Sequence, residues 1–106
     1  MDGIAATPRA PYWAVVFSSQ RERADDGYDH MSDRMVDLAK EQDGFLGLES
    51  ARDAAGFGIT VSYWESEEAI ARWRAHAEHQ AAQRGAVDWY ERYQVRVARV
   101  ERSYGG

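Results

Sequence analysis

The residues with the greatest chemical potential in this 106-residue chain are two histidines, His76 and His79. Three residues apart on a helix, they are neighbours on one flank. An imidazole changes charge near neutral pH, so either ring could serve as a general base or as a hydrogen-bonding partner for a bound molecule. The same spacing would suit a metal if a carboxylate converged on it. Only Glu78 is near in sequence, and it points elsewhere, so no metal is expected. In the competing reading the pair borders an apolar stripe and bonds to Gln80, Gln83 or solvent. Arg74 and Arg84 on the same segment supply cations. Trp64, Trp73, Trp89 and Tyr93 could line a slot for a planar ligand, or they could fill a core. His30 lies among Asp29 and Asp33 and reads as a surface residue. There is no Gly-rich phosphate loop, nucleophile elbow or calcium-loop pattern.

Composition narrows the classes. With 44% hydrophobic residues, 106 residues make one domain with a modest core, and aromatic residues at 12%, four of them Trp, compensate for its size. The absence of cysteine excludes disulfides and thiolate metal sites. That absence fits a reducing cytoplasm, and the segment MDGIAATPRAPY lacks a basic region followed by an apolar run. No apolar stretch is long enough to span a membrane, so no membrane partner is expected. The formal net charge of −5, with basic residues scattered among acids, disfavours nucleic acid.

The elements that must position these residues follow from periodicity. Residues 1–11, with Pro8 and Pro11, read as a flexible arm preceding a single domain over 12–106. Tyr12–Ser19 is a strand, apolar on both faces and hence central. Tyr28, Met31, Met35 and Leu38 recur at helical spacing, and Asp43-Gly44 stops that helix. Phe45–Arg52 and Phe57–Trp64 flank an Asp/Gly turn and form a hairpin. Ser66 caps a second helix whose stripe is Ile70, Trp73, Ala77 and Ala81, ending near Gly85. Val87–Arg92 reads as a short helical turn and Tyr93–Tyr104 as the last strand, with a bulge expected near Val97-Ala98 where the alternation shifts. The order β-α-β-β-α-β is an α+β fold with a four-stranded antiparallel sheet.

Two helices cover one sheet face only. Along the hairpin's second strand, Phe57, Ile59, Val61 and Tyr63 point one way and Gly58, Thr60, Ser62 and Trp64 the other. The first strand is apolar on both sides. The second face therefore also leaves water, and a two-fold homodimer is the simplest solution, with the long final strand able to exchange into the partner. The small residues Gly58, Thr60 and Ser62, closed by Trp64, suggest a ligand cleft. Helix side chains filling that gap are the alternative.

The stretches DGFLGLESARDAAGFGITVSYWESEEAIARW, WRAHAEHQAAQRG and WYERYQVRVARVERSYG resemble the antibiotic biosynthesis monooxygenase (ABM) family over roughly residues 12–104. The resemblance implies a ferredoxin-like βαββαβ protomer, a dimeric α+β barrel and a pocket between sheet and helices. Relatives include enzymes that oxygenate aromatic phenols without metal or flavin, enzymes that degrade haem, and isomerases and lyases. In the oxygenating members a Trp ends the third strand, as Trp64 does here, and a substrate-facing Arg stands near the position of Arg84. The Asn residues used by the haem-degrading and phenol-oxygenating members have no counterpart, because the chain contains no Asn. The implied function is cofactor-independent monooxygenation of a small aromatic or polyketide-like substrate. His76 or His79 would be the base, Trp64 and Trp73 the slot, Arg74 or Arg84 the cation, and Thr60 and Ser62 its polar wall. A non-catalytic dimeric ligand-binding domain is the alternative, with haem binding behind both.

Overall fold

The computed structural model describes residues 3–21, 35–83 and 90–106. Strand β1 (Tyr12–Arg21) is followed by helical residues 35–40 (α1), the hairpin β2 (Phe45–Arg52) and β3 (Phe57–Trp64), helix α2 (Glu67–Gln83) and β4 (Tyr90–Val100). The sheet order is β2-β3-β1-β4, antiparallel throughout. This is the ferredoxin-like α+β arrangement, with β1 central as its two apolar faces require.

Local chemistry explains the boundaries. Asp53 Oδ1 accepts from the backbone N–H of Ala55 (3.0 Å) and Phe57 (2.9 Å), which locks the hairpin turn. Ser66 Oγ accepts from Ala69 N at 3.1 Å and caps α2, and Glu67 and Glu68 stand in its positive first turn. Gly44 ends the α1 connection at φ +88°, and a Cβ there would sit 2.7 Å from Ala69 Cβ. Gly44→Ala therefore meets both strain and a clash. It is expected to lose about 1–3 kcal/mol, read as a lower denaturant midpoint with an unchanged slope.

Three sequence expectations need correction. Residues 90–92 belong to β4 rather than to a helical turn, and β4 closes at Val100. The irregularity between β1 and β4 lies at Gln20/Arg21, not at Val97-Ala98. No bulge is needed there, because β4 carries apolar residues on both faces: Tyr93, Val95 and Val97 on one, Ala98 and Val100 on the other. Tyr28, Met31, His30, Gly85 and the remainder of the expected 87–92 turn lie outside the described residues.

The faces are assigned by register. Trp13, Trp64 and Arg99 are neighbours across three strands, as are Val15, Ser62 and Val97. Trp64 packs with Ala39 of α1 and with Ala69 and Ile70 of α2, so its face is the helix-facing one. Trp13, Val15, Phe45 and Trp73 pack around that cluster. The opposite face is covered at one end by residues 3–11, which form no helix or strand. There Ala5 N donates to Glu49 Oε2 (3.0 Å), Tyr63 O–H donates to Glu49 Oε1 (2.6 Å), and Thr7 Oγ1 donates to the Tyr12 hydroxyl (2.9 Å). Tyr12 and Tyr63 meet edge to face at 5.8 Å. Among the described residues no helix is long and apolar enough to cross a membrane.

Burial first, then the hydrogen bond and negative charge of Glu49, pushes the Tyr63 phenol up to about 12 from 10.0. The fold thus favours the neutral phenol. That contribution to stability is complete below pH 10.0 and is lost as pH rises towards 12. In an ultraviolet titration, Tyr63→Phe should remove a phenol that ionises near pH 12. Glu49→Gln should move that phenol partway back towards 10.0, because burial remains.

Candidate functional site

The hairpin and α2 bring a row of side chains together at one end of the helix-facing surface. β3 ends in Trp64, which is 0% exposed. Its indole N–H donates to Ser62 Oγ at 2.8 Å, two residues back on the same strand face. Phe45 approaches Trp64 edge to face at 5.4 Å, and Trp73 of α2 stacks on it at 6.1 Å with the planes 22° apart. His76, one helical turn beyond Trp73, lies 6.1 Å from the Trp73 ring. Ser62, Trp64, Trp73 and His76 therefore form one continuous row. His76 Nε2 is buried and has no hydrogen-bond partner among the described residues. An unsatisfied imidazole nitrogen in an aromatic setting is unusual, since buried polar atoms ordinarily find partners.

The other candidate residues are placed differently. Thr60, next on this face of β3, exchanges a 2.8 Å hydrogen bond with Ser50 of β2. His79 is exposed. Arg74 is exposed and its Nε donates to Glu78 Oε1 at 2.8 Å along α2. Arg84 and Trp89 lie outside the described residues. Tyr93 stands on the same sheet face, stacked on Phe17 at 5.7 Å. No group of three or more potential ligands gathers for a metal among the described residues.

One residue of this face escaped sequence reasoning. Arg52 of β2 crosses over Gly58, where a Cβ would meet its Cζ at 2.6 Å. It donates through Nη2 to Ser19 Oγ at 2.7 Å and through Nη1 to the Gly56 carbonyl. The space above Gly58 is thus filled from within the sheet. Strict alternation from Phe45 sends Arg52 to the other face. The register shift between Phe45 and Gly47 reverses the parity and turns Leu48, Ser50 and Arg52 towards the helices.

Comparison with known proteins gives the class to which this ferredoxin-like chain belongs. Residues 14–85 match the Antibiotic biosynthesis monooxygenase family, and the chain belongs to it. The uncharacterized protein YqjZ of Bacillus subtilis (strain 168) is 56% identical over 103 residues, 96% of this chain and 90% of that protein. Among solved structures, a variant of SnoaB, a cofactor-independent oxygenase from Streptomyces nogalater, superposes with a TM-score of 0.74 at 12% identity, covering 89% of this chain and 97% of that one. Rv0793 from Mycobacterium tuberculosis gives 0.63 at 19% identity, covering 91% and 98%. At these identities the structural likeness speaks for the fold.

Proposed function

We propose that the protein is a cofactor-independent monooxygenase of the ABM type, acting on a small aromatic or polyketide-like phenol. The observation that carries this reading is His76 Nε2, buried beside the Trp73–Trp64 stack with no hydrogen-bond partner among the described residues. Family membership supports it, as does a shared fold with an oxygenase that needs no cofactor.

In the reaction, a base takes the phenolic proton and the resulting anion passes an electron to dioxygen. One oxygen atom enters the ring at a C–H position and the other leaves as water. A phenol plus O₂ thus gives a quinone plus H₂O, with the substrate supplying every electron. The protein's part is to hold the phenolate in an apolar slot, remove the proton and stabilise the charge. Trp73, supported from behind by Trp64, is the slot wall in this reading. His76 is the base, with His79 as a second candidate. Ser62 and Thr60 offer hydroxyls, and Arg74 or Arg84 the cation.

The functional unit in this proposal is a homodimer in the cytoplasm. On the sheet face away from the helices, Phe57 and Ile59 remain exposed, and pairing with a second copy removes them from water.

Oxygen-electrode measurements with a panel of hydroxylated arenes test the reading. Uptake by the purified chain without added cofactor is expected. Quenching of tryptophan fluorescence without any uptake would instead support a ligand-binding domain.

A further inference from the structure

We propose that Ser62 is the residue that stabilises the phenolate: its hydroxyl donates to the same substrate oxygen whose proton His76 Nε2 takes. The inference begins with the hydrogens at Ser62. Its Oγ accepts from the Trp64 indole N–H at 2.8 Å. A hydroxyl also has one proton of its own to give. That proton has no acceptor among the described residues, although Ser62 is only 8% exposed. A buried donor left over is costly, and it marks a place for a ligand atom. The fixed indole limits the directions open to the hydroxyl. By polarising Oγ it also strengthens the O–H as a donor.

His76 supplies the other half. Its Nε2 is buried and has no hydrogen-bond partner among the described residues. The two groups belong to one level of the fold. β3 and β4 both run antiparallel to β1, so α2, which joins them, returns the chain towards the start of β3. From the stacked Trp64–Trp73 pair, Ser62 lies two residues back along β3, about 6.6 Å. His76 lies three residues on along α2, about 4.5 Å in the same direction. Ser62 is a donor, and His76, with its proton on Nδ1, is an acceptor. A phenol O–H matches both, receiving from Ser62 and giving to His76. In the step, the phenol O–H bond breaks, the Nε2–H bond forms, and the electron pair stays on the oxygen that faces Ser62. Ser62 keeps its own proton throughout. It meets the new charge directly, whereas Arg74 is exposed and paired with Glu78.

This inference rests on the phenol reading above, and one experiment separates their failures. The probe is para-nitrophenol, whose anion is coloured. Its bound spectrum at a fixed, near-neutral pH gives the ratio of anion to neutral phenol. In wild type that ratio should exceed the ratio of the free probe. It should fall about tenfold in Ser62→Ala and return in Ser62→Thr, which restores a hydroxyl. A shift of the Trp64 ring alone would leave the ratio unmoved, because it weakens both forms of the probe alike. If Ser62→Ala does not fold, Ser62→Thr is compared with Ser62→Val, which has the same shape and no hydroxyl. An unchanged ratio without the hydroxyl, or a fall that Ser62→Thr does not reverse, overturns the role of Ser62 alone. The base is judged separately, by whether the ratio falls in His76→Ala. A wild-type protein that leaves the probe unbound, or no more ionised than in solution, overturns the phenol site and the inference together.

Discussion

Trp64→Ala is expected to destabilise the protein by about 3–5 kcal/mol, which is a large share of the roughly 5–15 kcal/mol that holds a domain of this kind together. The reason lies in its surroundings. Trp64 is wholly buried and joins the hairpin to both described helical segments through Ala39, Ala69 and Ile70. Phe45 and Trp73 pack on its ring from β2 and α2. Truncation leaves a cavity the backbone cannot close and strips the Ser62 hydroxyl of its 2.8 Å donor. Trp64→Phe should cost less, because most of the ring area stays buried. A denaturant series on wild type, Trp64→Phe and Trp64→Ala should rank them in that order. Equal midpoints for wild type and Trp64→Ala would show that the cluster does not organise the fold.

The second large effect is on turnover. His76→Ala should lower kcat/KM for the oxygenated phenol by about 10²–10⁴-fold, the usual contribution of a positioned general base. Stability should change little, since His76 is only partly buried and its Nε2 makes no hydrogen bond among the described residues. His76→Gln separates roles, because an amide can hold a phenol by hydrogen bonding but cannot take its proton. Substrate binding should persist in His76→Gln while turnover falls as in His76→Ala. His79→Ala serves as the comparison, because that ring is exposed three residues away. If both His76 variants turn over normally, His76 is not the base.

Much of the architecture could be read from the chain because local signals agreed with the global fold. The hairpin is the clearest case. Alternating apolar residues around Asp53–Gly56 specify both strands to their end residues. The last strand was harder. Apolar residues on both of its faces imitate a register shift, and the aromatic pair Trp89-Tyr90 reads equally well as a helical turn. The site was partly legible. Trp64, Trp73 and Ser62 follow from strand parity and helix spacing, and the structure adds that Ser62 bonds to Trp64 itself. Spacing alone cannot tell His76 from His79, because residues three apart share a flank while burial differs across it. Arg52 was hidden by the bulge at the start of β2, which alternation cannot reveal.

Isotopically heavy dioxygen shows whether this ABM protein oxygenates a phenol unaided, as proposed. The purified chain is incubated with a hydroxyarene that supports oxygen uptake, with no metal, flavin or haem added and a chelator present. The expected product is a quinone carrying one heavy oxygen atom, formed in step with the oxygen consumed and diminished in His76→Ala. A folded protein that consumes no oxygen with any arene of the panel, or a product whose new oxygen comes from water, would contradict it.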